Sequence, residues 1–480
     1  MTEGTLKGRT GLMLPLASNS SRVILPAIAA VAVGVASGAL SGESVHAGLV
    51  FGGLCLAAVL LWALRAHFLV VLMVIVWYLP PQTGPGGLLE FAPYLRWAGV
   101  LLVPLIAVVL LVRALSGNRA LTVTPLAFPM AAVLCAILLS ALANGSSTLE
   151  AISIALLYLR YPLLFIALVN LPLSLGTTRE VVKVFFVLVA IQIPEVVIRF
   201  VATGGAGDTI SWSLGPYGTF SLGVYCIYAM CLVAGIMVTR GVTVARLAVL
   251  CVLLVPSVMG EIKALVLLGP VCVFAVLLLP SARLVTLSRR LAAVAVILVA
   301  VAGVYTAWAV VYPGSDNLLS RAVTQLDRLL TGSPSVEGAR GVDRLSWTIE
   351  SASALAKSDG LTFGAGPGSG LAGGIAGKAS RGQTQLTSAL WDFGILGMAS
   401  YAWLLLAALS VVVAAVRSVR DMTALGYACA MVGIWLFYAI LGPNYDQVWR
   451  YDAPSFLFWV LLAGIYVASR SSSSPSLAEI

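Results

Sequence analysis

Apolar runs of about bilayer-spanning length alternate with short polar connections along most of this chain. A run of about 20 apolar residues crosses a hydrocarbon core as a helix. Such runs fall at roughly 23–40, 47–64, 67–80, 96–113, 126–143, 151–172, 181–202, 217–239, 246–260, 264–280, 291–312, 389–416, 423–442 and 454–469. They predict fourteen spans, or twelve on a stricter reading of the short third, ninth and tenth runs. The pattern breaks once. From about Pro313 to Ser388 the chain is polar, with seven basic and six acidic residues. Within it, LLSRAVTQLDRLL sets Leu319, Ala322, Val323, Leu326, Leu329 and Leu330 on one helical face. VDRLSWTIESASALAK likewise sets Val342, Leu345, Ile349, Ala352 and Leu355 on an apolar side, with Arg344, Trp347 and Ser351 on the other. The pattern thus divides the chain into 1–312 with about eleven spans, a loop at 313–388, and 389–480 with about three.

Composition fixes the class. Sixty percent of the residues are hydrophobic and 10% charged, which no soluble domain can bury. The expected fold is an all-α polytopic integral membrane protein with 12–14 spans and one large outer loop holding amphipathic helices. Lys and Arg gather in alternate connections: Lys7, Arg9 and Arg22; Arg65; Arg113 and Arg119; Arg179 and Lys183; Arg240 and Arg246; Arg283, Arg289 and Arg290; Arg417 and Arg420; Arg470. The positive-inside rule then places both termini in the cytoplasm and the 313–388 loop outside. The net charge of +9 is a topology signal and carries no nucleic-acid reading. The first run, longer than a signal-peptide core, reads as an uncleaved helix. All seven cysteines lie in apolar runs, so neither a disulfide nor a thiolate metal site is expected.

Ionisable residues inside spans stand out, because each costs about 2.5–3.5 kcal/mol even on a lenient scale. Arg160 lies midway down the sixth span, in LLYLRYPLLF. Gln192, Glu195 and Arg199 form one polar stripe in the outer half of the seventh, beside Pro194. A self-neutralising Glu195–Arg199 pair at i, i+4 is the plainer reading of that stripe, and it leaves Arg160 unexplained. Glu261 and Lys263 sit at an outer hairpin tip, and Arg450 lies in the last outer connection. Interfacial anchoring competes with function there, as it does for Trp347. Cations at this depth suit an anionic lipid headgroup, and a pyrophosphate above all, since arginine forks match its oxygens.

The chain has no D-x-D, H-E-x-x-H or Walker A motif, and its two histidines, His46 and His67, lie outside the polar loop. Gly368, Gly370 and Gly373 in LTFGAGPGSGLAGG spell a dinucleotide fingerprint, and Asp392 follows at the spacing that fingerprint asks for. An amphipathic helix precedes it instead of a strand, and the loop lies outside the cytoplasm, so the match reads as coincidence. The run is expected instead to bring backbone N–H groups close to substrate oxygens. One reaction needs neither metal nor histidine: transfer of a glycan from polyprenyl pyrophosphate. Cations stabilise the departing pyrophosphate, and one carboxylate takes the proton of the attacking hydroxyl. Glu195, Asp392, Glu261 and Glu350 are the candidate bases.

RLSWTIESASALAKSDGLTFGAGPGSG followed by WDFGILG resembles the outer loop and following helix of the O-antigen polymerase and O-antigen ligase superfamily. GEIK and RYDAPSFLFW resemble its polymerase-like members. The resemblance covers roughly the last half of the chain. It implies a glycosyltransferase-C type B bundle in a bacterial inner membrane, with the active face periplasmic. The implied donor is an undecaprenyl-pyrophosphate-linked repeat unit, with no cofactor, arginines on the pyrophosphate, and flippase and chain-length regulator proteins as partners. That role carries over to Arg160, Arg199 and Arg344. Ligases hold a histidine where this chain has Gln383, which cannot take a proton, so the lean is toward polymerisation. A ligase remains one alternative. A flippase-like transporter using Arg160, Glu195 and Arg199 is another, and a non-catalytic scaffold is the third.

Overall fold

Helical periodicity in the sequence becomes helix in most of the described residues. The computed structural model describes residues 68–83, 103–104, 106–107, 111, 122–170, 174–203, 214, 219–260, 262–279, 286–311, 344–370, 384–445, 448–450 and 452–473. In chain order these form α1 (Phe68–Thr83), α2 (Ala127–Asn144), α3 (Thr148–Val169), α4 (Leu175–Thr203) and α5 (Thr219–Arg240). Then come α6 (Val244–Met259), α7 (Lys263–Leu277), α8 (Leu287–Val311), α9 (Arg344–Lys357) and α10 (Gln385–Ser418). The last are α11 (Met422–Leu436), a π turn (Phe437–Leu441), α12 (Gly442–Tyr445), a 3-10 turn (Val448–Arg450) and α13 (Asp452–Ser473). Among the described residues no strand occurs.

Eight described helical segments are long and apolar enough to cross a membrane, while α6 and α7 are shorter apolar helices. The protein is an all-helical, multi-pass membrane protein. Outward-facing aliphatic side chains fit that solvent: Leu142 is 80% exposed, Val201 76% and Val299 73%. Eleven of the fourteen predicted spans fall on described helices; 23–40 and 47–64 lie outside the described residues, and 96–113 almost entirely so. The first amphipathic stretch, Glu261 and Gln383 also lie outside them. The ends differ for one reason. α4 begins at Leu175 and α10 at Gln385, because their polar first turns (LGTTRE and QLTS) are helical yet invisible to hydropathy. Local signals set other boundaries. Ser147 and Glu150 form a capping box at the start of α3, and Gly145 ends α2 with φ +64°.

Two helices form the centre. α5 is buried along almost its whole length, and residues 456–463 of α13 are fully buried. α5 and α11 approach closely because a Cβ on Gly235 would lie 2.1 Å from the Gly426 carbonyl oxygen. α13 packs on α3, α10, α11, α1 and α4. The bundle has two unlike ends. At one, Arg179 and Arg240 from the ends of α4 and α5 reach Thr423 at the start of α11. At the other lie the α2–α3 turn, α9, the glycine run and the first turns of α10.

Candidate functional site

Within α10 the segment WDFGILG is not helical throughout. Phe393 (φ −148°, ψ 16°) and Gly394 (φ 65°, ψ −164°) divide the helix in two. A break inside a span exposes backbone groups that need partners. The glycine run supplies them. Leu361 and Thr362 carbonyls accept from the N–H groups of Ile395 (3.0 Å) and Leu396 (3.2 Å), at the start of the second half. The Trp391 carbonyl, at the end of the first half, accepts from Ala365 N–H (2.8 Å) and Ser369 Oγ (2.7 Å). Ser140 Oγ of α2 donates to the Asp392 carbonyl at 2.8 Å. The lacing needs glycine on both sides. A Cβ on Gly394 would lie 2.4 Å from Thr362 O, and one on Gly364 2.5 Å from Trp391 O.

Asp392 closes this clasp. Its Oδ1 accepts from Gly368 N–H (3.0 Å) and Gly370 N–H (2.9 Å), and its Oδ2 from Tyr158 OH (3.2 Å). Gln385 Nε2 donates to the Tyr158 hydroxyl at 3.2 Å. Asp392, Gln385, Thr384 and Ser388 are all fully buried. The glycine spacing of the fingerprint and its trailing acid are therefore coupled after all, through a bond inside the chain. The N–H groups of Gly368 and Gly370 meet Asp392, where the sequence suggested substrate oxygens. α9 completes the assembly: Thr348 Oγ1 lies 3.1 Å from Thr387 Oγ1, and Ala352 and Leu355 pack on Leu390 and Trp391. The packed stripe is Thr348–Ala352–Leu355; Ile349, expected on the apolar side, is 63% exposed.

A second buried centre lies on α3. Arg160 is 1% exposed and pairs with Asp452 at 2.5 Å, and Tyr161 OH donates to the same Asp452 Oδ1 at 2.6 Å. Asp452 is the first residue of α13, where a helix N-terminus favours an anion. Arg160 stands about 18 Å along α3 from its first residue, at 1.5 Å per residue. The connection before α13 therefore dips into the bundle. Its buried irregular turn is held by protein, with Trp449 Nε1 donating to Tyr438 O (2.8 Å) and Ser455 Oγ to Trp449 O (3.2 Å). One aromatic wall joins the two centres: Tyr158 meets Phe393 and Tyr401, and Tyr401 lies 4.1 Å from Trp449, centroid to centroid.

No family model matches this chain, and no curated protein matches it.

The predicted residues separate into groups. Arg160 and Asp392 share one end of the bundle, and the α9 backbone that carries Arg344 and Trp347 packs beside Asp392. Arg450 belongs to the 3-10 turn that meets α3 and α13, so it comes to the same end, and Lys263 opens α7. Glu350 is exposed on α9. Gln192, Glu195 and Arg199 lie on α4, which remains one helix through Pro194. α4 packs on α1, α5, α6 and α13, so this stripe stands on a different wall from Asp392. Gln192 is buried, and Glu195 and Arg199 are half-buried. Sequence reasoning missed Asp452, Tyr158 and Gln385. A buried arginine demands an acid, and that demand alone could have led to Asp452 in RYDAPSF.

The clasp gives a direct expectation. Gly394→Ala should expel the glycine run from the break, since φ +65° and the Thr362 carbonyl both oppose a Cβ. Strain of this kind costs about 1–3 kcal/mol. Limited proteolysis of the purified variant should show new cleavage within 360–370 while the helical content holds.

Proposed function

We propose that this protein polymerises polyprenyl-pyrophosphate-linked oligosaccharide repeat units at the end of the bundle that carries the clasp. One observation supports this most. The segments that resemble the polymerase and ligase superfamily (the α9 helix, the glycine run and WDFGILG) pack into one unit, α9 through Thr348, Ala352 and Leu355. Tyr158, Tyr401 and Trp449 link that unit to the buried Arg160–Asp452 pair. The opposite end gathers Arg179, Arg240 and Arg246, which by the positive-inside rule is the cytoplasmic end. The clasp end then faces outward, in a bacterial inner membrane.

Charge balance divides the work. Asp452 already matches the Arg160 charge, and three donors fill the Asp392 carboxylate. Arg160 and Asp392 therefore hold this end of the bundle in shape. Arg199 and Arg344 bind the pyrophosphate, whose negative charge grows as the sugar–oxygen bond breaks. Glu195, one turn from Arg199 and half-buried, takes the proton of the acceptor hydroxyl as its oxygen attacks the anomeric carbon. Polyprenyl pyrophosphate leaves, and the chain grows by one repeat.

The test is elongation by purified protein supplied with lipid-linked repeat units in EDTA. A ladder of longer glycans is expected, and Arg199→Ala should abolish it while the protein stays folded. Movement of labelled lipid between leaflets with no ladder would establish a transporter instead.

A further inference from the structure

We propose that the basic end of the bundle holds a binding notch for the phosphate of an anionic phospholipid, formed by Arg179, Arg240 and Thr423. Arg179 and Arg240 both donate to the single hydroxyl of Thr423, at 3.2 and 2.7 Å. Their terminal nitrogens are therefore no further apart than the sum of those two bonds. Arg246 donates to the Arg240 carbonyl at 3.1 Å and adds a third guanidinium. Three cations from three helices thus converge on neutral oxygens, which bind their protons without cancelling their charge.

The nearest carboxylates do not close the site. Asp421 Oδ1 accepts from the N–H groups of Thr423 (2.9 Å) and Ala424 (2.8 Å), as the N-cap of α11, and its one negative charge stands against three guanidiniums. Glu180 follows Arg179 on α4 and has interactions of its own. A phosphate oxygen placed between the two guanidiniums would take charge-assisted bonds from both.

Position selects a lipid. Arg179 lies in the first turns of α4, Arg240 is the last residue of α5 and Thr423 the second of α11, so all three stand where apolar spans end. Headgroup phosphates occupy that depth. Leu175, one turn before Arg179, and Asp421 also line a cavity of about 280 Å³ whose other walls include Val467, Ala468 and Ser471 of α13. Two of its lining residues neighbour the notch in sequence: Asp421 is two residues from Thr423, and Leu175 is four from Arg179. The inference is independent of the polymerase proposal, since it concerns the opposite end.

The test uses the full-length protein in neutral detergent, titrated with phosphatidylglycerol or phosphatidylcholine and read by native mass spectrometry and Tm. Phosphatidylglycerol should bind at least tenfold more tightly than phosphatidylcholine and raise Tm. Arg179→Gln/Arg240→Gln should lose that preference, while Arg289→Gln, at the same end on α8, should keep it. If the double variant does not fold, Arg240→Gln alone should reduce the preference several-fold. Equal preference in the folded Gln variants would overturn the site. Displacement of the lipid by millimolar inorganic phosphate would overturn its assignment to a lipid.

Discussion

Asp452→Leu lowers the stability of the purified protein by about 3–5 kcal/mol, because it removes the carboxylate that balances the Arg160 charge, and Arg160 is only 1% exposed in the bundle interior. A smaller loss is expected for Arg160→Leu, since Asp452 keeps the Tyr161 hydroxyl and its place at the α13 N-terminus. The double variant, Arg160→Leu/Asp452→Leu, should recover much of the first loss, since two apolar side chains need no charged partner. Recovery should stop short of complete, as Tyr161 OH keeps no acceptor, at about 1–3 kcal/mol. Chemical unfolding in detergent, arranged as a double-mutant cycle, reads all three values. If the single variants were as stable as the parent, Arg160 and Asp452 would not be a structural pair.

Asp392→Leu has the next largest effect. It removes the acceptor of Gly368 N–H, Gly370 N–H and Tyr158 OH together. Each orphaned buried donor costs about 1–3 kcal/mol, so the clasp should open. Hydrogen exchange at Gly368 and Gly370 should rise by orders of magnitude before the helices exchange. Asp392→Asn should behave differently. Its amide oxygen can keep both glycine N–H groups, and its NH2 can donate to the Tyr158 oxygen. A flip of the Gln385 amide then turns its Oε1, which has no hydrogen-bond partner among the described residues, toward the Tyr158 proton. The Asn variant should therefore stay clasped and keep elongating glycan. Loss of elongation with the clasp intact would make Asp392 the base in place of Glu195.

Helices were legible because apolar runs and helical periodicity report burial directly, and α2, α3 and α5 fall within a turn of their predicted runs. α9 was legible from its amphipathic spacing, but its packing face was not. Thr348 turns inward for a hydroxyl contact that no hydropathy scale registers. The break at Phe393–Gly394 was hidden because WDFGILG reads as apolar helix, and only the backbone of a distant loop makes the break tolerable. Arg160 was visible as a misplaced charge, whereas its partner lies far along the chain at the head of another helix. Pairings across such separations depend on topology, which one sequence does not spell out. The Asp392 spacing teaches the same point in reverse: it looked accidental because the nucleotide reading failed, yet the carboxylate does hold the two fingerprint glycines.

The most direct test of the account is the sidedness of elongation. The protein would be reconstituted in proteoliposomes of one orientation, established by protease removal of a tag fused after Ile480. Lipid-linked repeat units would then be placed in one leaflet at a time. The account predicts a glycan ladder only from donors in the leaflet at the clasp end, unaffected by EDTA and lost with Arg199→Ala. A ladder from the leaflet at the Arg179–Arg240 end would contradict it.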